Sequence, residues 1–275
     1  MSDNRAGNVD ARRTAMALLA VSILAMAGGC SQGSGGAAER FGKTYYLDGA
    51  GNWGFGSGEV PVGLKQGGYR GDVEVFVWTM TFNPLADQLN YLGATARAGA
   101  LADRIVRYQK KYPQNKINII ALSAGTGVAT WAVEKLPPDL KINNLVLLGS
   151  SLSHDYDMTE AFKHMTGKIY AYHSPHDAVL KSVRLVGTID QKRGVDSIGL
   201  VGLTPPAGHK DRVVNTAWSR AWLKLGWAGA HTDCTNQMFV RYEIAPHLLP
   251  AQAPPDTDTA HKGLESTEPI TAVSH

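Results

Sequence analysis

Residues 116–136 read KINIIALSAGTGVATWAVEKL. The opening run, Lys116 to Leu122, is almost unbroken apolar sequence, the composition of a strand covered on both faces. A helical stretch follows from Thr126 to Leu136, small or apolar throughout apart from Glu134 and Lys135, and ends at Pro137-Pro138, which cannot prolong a helix. Only Ser123, Ala124 and Gly125 separate the two runs, and all three are small enough for a tight turn. A buried strand that passes through a tight turn into a helix is half of a βαβ unit and predicts a parallel sheet.

Working outward, the same alternation recurs. Further strands are expected at Lys43 to Leu47, Val73 to Thr79, Ile142 to Leu148, Lys168 to His173 and Ser197 to Leu203. Helices are expected at Leu85 to Lys111, Asp157 to Met165, Ala178 to Val186 and Thr232 to Ala245, the last stopped by Pro246. In the longest, Leu85, Leu89 and Leu92 and then Leu101, Ile105 and Tyr108 recur at helical spacing. The expected fold class is α/β, a three-layer α/β/α sandwich on a mostly parallel sheet, carried by one domain over residues 43–249. A polar, proline-bearing tail, expected to be disordered, follows from Pro250.

Open sheets of this kind bind ligands beyond the carboxyl ends of their strands. Ser123 stands there, at a strand-to-helix turn, with Ala121 two residues before it and Gly125 two after. This resembles the nucleophile elbow of the α/β-hydrolases, serine esterases and lipases among them, with Ala121 where the G-x-S-x-G pattern has its first glycine. The resemblance spans roughly Lys43 to Leu249 and implies a Ser, acid, His order along the chain. Asp177, just past the fifth strand, is the acid it favours, with Asp155 and Asp157 as alternatives; a plain helix N-cap is the bland reading of Asp177. For the base, His231 lies in Gly226-x-x-Gly229-Ala230-His231, similar to the histidine loop of that superfamily, and His209 is the alternative. The implied oxyanion donors are the amide of Ala124 and one from the loop after the first strand, at Ala50 or Gly51. The implied chemistry is acyl transfer to Ser123 from an ester or thioester, followed by hydrolysis. A catalytically silent envelope lipoprotein of the same fold, binding a ligand or a protein partner, is the alternative.

Other classes fit less well. His173, His176 and Asp177 offer metal-ligand chemistry, but a His-x-x-His pair spanning a strand end does not align its rings as a helix would. Gly49, Gly51 and Gly54 match dinucleotide-loop spacing, but no helix starts at Gly54. Cys234 lies three residues beyond His231, yet no elbow surrounds it. No metal or cofactor is therefore expected; the partner expected is a small acyl substrate. The chain has 275 residues, 44% hydrophobic and 19% charged, with a net charge of +3. That profile excludes a disordered or collagen-like chain and shows no basic footprint for nucleic acid. Two cysteines exclude a disulfide scaffold and a four-cysteine zinc site.

The amino-terminal segment reads as an address. Arg5, Arg12 and Arg13 precede an apolar run from Ala15 to Ala27, too short to span a bilayer and suited to a secretory signal over residues 1–29. Ala27-Gly28-Gly29-Cys30 resembles a bacterial lipobox, which implies acylation of Cys30, export, and a lipid anchor at the cell envelope; simple secretion or a periplasmic location is the alternative. Residues 30–42, rich in Gly and Ser, read as a tether. The sequence leaves the oligomeric state open.

Overall fold

The computed structural model describes residues 35–249 apart from 80 and 82. The expected signal segment, Cys30 and the tail from Pro250 lie outside the described residues. The expected tether overlaps them in part. There a helical turn, Gly35–Ala38, runs into a 3-10 turn, Glu39–Phe41. The Glu39 carbonyl accepts from Tyr108 Oη at 2.5 Å and Asn115 Nδ2 at 2.9 Å, so the chain is tied down before the first strand begins.

Six strands form one parallel sheet: β1 Lys43–Leu47, β2 Asp72–Val75, β3 Ile117–Leu122, β4 Leu145–Leu148, β5 Ile169–His173 and β6 Val213–Ala217. Their order is β2-β1-β3-β4-β5-β6. The six helices that matter for the argument are α1 Glu59–Gln66, α2 Pro84–Leu89, α3 Tyr91–Lys111, α4 Gly125–Glu134, α5 Thr159–Lys163 and α6 Ala178–Val186. Strand periodicity sorts the core into two layers. Ile119, Ala121, Leu145 and Leu147 pack with α3 and α4 on one face. Ile120, Leu122, Val146 and Leu148 pack with α1 and the C-terminal segment around Phe239 and Val240 on the other. Each fully buried Leu or Ile contributes about 2 kcal/mol. The expected three-layer α/β/α sandwich is the architecture found.

The strand order reverses between β1 and β3. From β1 the chain steps to β2 at one edge; from β3 it steps through β4 and β5 to β6 at the other. Connections therefore diverge above the β1–β3 pair and leave a crevice at its carboxyl end, the switch point where open α/β sheets hold their ligands. The loops that begin at Asp48 and Ser123 form its walls.

Three expectations need correction. Ser197 to Leu203 is not the sixth strand; it contains a helical turn, Ile198–Val201, ended by Gly202 at φ +94°. The strand is Val213–Ala217, whose half-polar sequence reflects its place at the sheet edge, where full burial is not required. The helix expected at Leu85 to Lys111 is two helices, parted at Asn90, whose side chain caps α3 by accepting from Gly93 N at 3.0 Å. The expected helix from Thr232 opens as a 3-10 turn, Asp233–Thr235, and regains helical form at Gln237–Phe239, Val240–Ile244 and Ala245–Leu248. Pro246 does not stop it. It sits in the first turn of the last piece, where a missing N–H costs least.

Candidate active site

Ser123 sits between β3 and α4 with φ +52°, a left-handed conformation that costs a residue with a side chain about 1–3 kcal/mol. Its neighbours hold it there. Ser123 N donates to Leu148 O at 2.9 Å, and Ser123 O accepts from Thr126 N at 3.1 Å and Ser151 N at 3.3 Å. Thr126 Oγ1 also donates to Ser123 O and meets Ser150 Oγ at 2.8 Å. Gly125 is required by space. A Cβ there would lie 2.4 Å from the carbonyl oxygen of Asp48, in the adjacent wall of the crevice.

Asp177 has two jobs. Its Oδ1 accepts from Leu180 N at 2.9 Å and caps α6, while Oδ2 lies 2.7 Å from His231 Nδ1. The two side chains are 3% and 13% exposed. The carboxylate has two oxygens, so one caps the helix while the other meets the imidazole. His231 is carried by an irregular loop that other side chains pin. Asp233 Oδ2 accepts from Ala228 N at 3.1 Å and Ala230 N at 3.2 Å. Ser174 Oγ donates to the carbonyl of Gly229, which is at φ +98°, at 2.8 Å. Trp218 Nε1 donates to Trp227 O at 3.0 Å. Trp218, Trp222 and Trp227 pack into the core around Phe239 and support this loop from behind.

The alternatives fall elsewhere. His209 precedes β6, at the amino end of the strands, and stacks on Phe162 at 4.4 Å. A sixth strand at Ser197 to Leu203 would set His209 beyond a carboxyl end, whereas β6 at Val213–Ala217 sets it before an amino end. Asp155 is exposed and pairs with Lys192 at 2.9 Å, and Asp157 accepts from Thr159 N at 2.9 Å. Cys234 is 2% exposed, its Sγ is 3.6 Å from the carbonyl oxygen of His231, and burial pushes its thiol pKa up. A thiol so held is a poor nucleophile at neutral pH.

Ser123 and His231 line one cavity of about 570 Å³. Its opposite wall is apolar, with Leu85 of α2, Val179, Val183 and Val186 of α6, and Trp53 and Phe55. Gly49 and Ala50 form its edge beside the serine, and a Cβ on Gly49 would lie 3.2 Å from Ser123 Cβ. Among the described residues Ser123 Oγ has no hydrogen-bond partner, so it remains open to a ligand.

The loop after β1 sorts its amides. Gly49 N donates to Asp48 Oδ1 at 3.0 Å, Gly51 N to Asp87 Oδ2 at 2.8 Å, and Asn52 N to Gly49 O at 3.1 Å. Gly51, one of the two expected donors, is therefore already engaged, because a buried carboxylate takes its N–H. The amides of Ala50 and Ala124 have no protein acceptor among the described residues. Asp87 escaped the sequence reading. Nothing in its local sequence distinguishes it from any acidic residue in a first helical turn.

No family model matches the chain, and no curated protein matches it. Among solved structures it is similar to a cutinase-like protein from Cryptococcus sp., at 13% identity over 72% of this chain and 88% of that one, with a TM-score of 0.39. It is also similar to RedJ, solved with a polyethylene glycol molecule in its active site, at 11% identity over 76% of this chain and 88% of that one, with a TM-score of 0.35.

Proposed function

We propose that the protein is a serine hydrolase that cleaves a carboxylic ester or thioester bearing an apolar acyl group. One observation carries the reading: a serine in strained backbone and a histidine with a 2.7 Å carboxylate contact line the same apolar-walled cavity. His231 takes the proton from Ser123 Oγ as the oxygen attacks the acyl carbonyl. Asp177 fixes the proton on Nδ1, which leaves Nε2 as the base, and stabilises the imidazolium that forms. The amides of Ala124 and Ala50 receive the oxyanion. The leaving group departs with the proton from His231, and water, activated by the same imidazole, releases the acid and restores the serine. The acyl chain lies along Leu85, Val183 and Val186, which contribute transfer energy of about 25 cal/mol per Å² covered.

A fluorophosphonate probe tests this. It labels Ser123 in the wild-type protein, and Ser123→Ala abolishes both the label and hydrolysis of a p-nitrophenyl ester, a loss of about a million-fold in turnover. His231→Ala lowers turnover to a similar degree, while His209→Ala leaves it unchanged. Folded wild-type protein that neither labels nor hydrolyses any ester across a series of acyl lengths would overturn the reading in favour of a silent binding protein.

A further inference from the structure

Asp87 is 1% exposed, yet it has no cationic partner within 4 Å among the described residues. A buried carboxylate is costly unless donors surround it. Here three neutral donors do so. Thr79 Oγ1 donates to Oδ1 at 2.6 Å, Thr81 Oγ1 to the same oxygen at 2.7 Å, and Gly51 N to Oδ2 at 2.8 Å. The residue itself is fixed in the first turn of α2, where Asn83 caps the helix and Asp87 N donates to Asn83 O at 3.0 Å. The threonines orient the carboxylate, and its remaining oxygen grips the loop beside Ser123. The loop's other end is held by a second buried carboxylate, Asp48, through Gly49 N. Between the two grips lies Ala50, which lines the cavity and whose N–H has no acceptor among the described residues.

We propose that Asp87 is a positioning residue for the oxyanion site: by engaging Gly51 N–H it fixes the Ala50–Gly51 peptide, and through the shared Ala50 Cα it sets the adjacent Gly49–Ala50 peptide, whose N–H is offered to the oxyanion formed on Ser123. This rests on the hydrolase reading above. Asp87 touches no reacting atom. Its effect is felt when the carbonyl oxygen becomes anionic, so it acts on kcat and spares KM. Misplacing a donor by about 1 Å costs about 100-fold, and losing it altogether costs about 100- to 1000-fold.

The test compares Asp87→Ala with Asp87→Asn, whose amide oxygen can still accept from Gly51 N–H. Turnover of a p-nitrophenyl ester, KM, and affinity for an alkyl boronic acid that forms a tetrahedral anion on Ser123 are measured for each. The expected result for Asp87→Ala is a kcat loss of about 10- to 100-fold, with KM within about twofold of wild type. Boronate affinity should fall in parallel, and Asp87→Asn should recover most of both. Wild-type kcat in folded Asp87→Ala, or a kcat loss without a loss of boronate affinity, overturns the proposal. If Asp87→Ala does not fold, Thr81→Ala, at an exposed position, removes one of the donors that orient the carboxylate. It should lower kcat and boronate affinity together by about threefold, and no change in either overturns the proposal. The two readings fail differently. A wild-type protein without fluorophosphonate labelling loses the hydrolase reading and this one with it. Wild-type labelling together with an equal labelling rate in Asp87→Ala loses this one alone.

Discussion

The elbow-like turn at Ser123 and the loop at His231 hold their side chains by opposite means. Ser123 is held by regular structure, with a fully buried strand behind it, a buried helix in front, and carbonyl and amide contacts from β4 and its loop. His231 is held by side chains. Asp233 gathers two loop amides, Ser174 takes one loop carbonyl, and Asp177 takes the imidazole. On the proposed hydrolase reading Ser123 is the nucleophile; its backbone is strained, and strain persists only where surrounding structure over-determines it. On the same reading His231 is the base, which needs a fixed ring orientation, and for that a carboxylate at one nitrogen is enough. Strain therefore lies on the rigid side of the cavity, and adjustable contacts on the other.

Substitutions can break this contrast. The largest effect is expected at the junction of the two regions. Asp177→Asn keeps a side chain that can cap α6 but favours the wrong imidazole tautomer. Turnover should fall about 10,000-fold while thermal stability changes little. A parallel collapse of stability, read by thermal unfolding, would mean that Asp177 serves the helix more than the histidine. On the rigid side, Gly125→Ala places a methyl group 2.4 Å from the Asp48 carbonyl, which is backbone and cannot move aside cheaply. A loss of about 3 kcal/mol in unfolding free energy is expected, with most activity gone. On the adjustable side, Asp233→Ala frees the amides of Ala228 and Ala230, which water can reach. Here stability should fall by only about 1 kcal/mol, while kcat drops roughly tenfold as the ring wanders. If Asp233→Ala proved as destabilising as Gly125→Ala in denaturant titrations, the division between rigid and adjustable sides would be wrong.

The same contrast explains what was legible in the sequence. The elbow is contiguous. Strand, turn and helix follow within residues 117–134, so composition and spacing declare them together. Asp177 and His231 were legible as a pair because each stands beside a recognisable break, a strand end and a glycine-bearing loop. The sixth strand was not legible. An apolar run with two glycines, Ser197 to Leu203, looks more strand-like than Val213–Ala217, which spends its polar residues on an exposed edge. Asp87 was invisible for a related reason. Its meaning comes from Gly51, 36 positions away, and from two threonines whose convergence is set by the fold. Local sequence carries backbone demands well, whereas it carries side-chain appointments across the chain poorly.

The substitution expected to bear least on turnover sits at the far end of the elbow helix. Glu134 is the last residue of α4, beside the negative end of the helix dipole, where a carboxylate is unfavourable. Burial raises its pKa from 4.5 to about 7, and the nearby acids Glu160 and Asp157 add to the rise. Against this, Tyr156 Oη donates to its two oxygens at 3.1 Å and 3.2 Å, and Lys135 also favours the charged form. The folded state thus holds a proton that the unfolded state has already lost. Its contribution to stability is fully present below about pH 4.5, declines as the pH rises toward 7, and is gone above that. Glu134→Gln, neutral throughout, should erase this slope. Urea midpoints of both proteins at pH 5 and pH 8 would show the wild type losing on the order of 1 to 3 kcal/mol relative to the variant. Parallel pH dependence would mean that Glu134 ionises freely in the folded protein. The elbow helix would then end as exposed to water as the histidine loop, and the rigid side of the site would begin only at the serine.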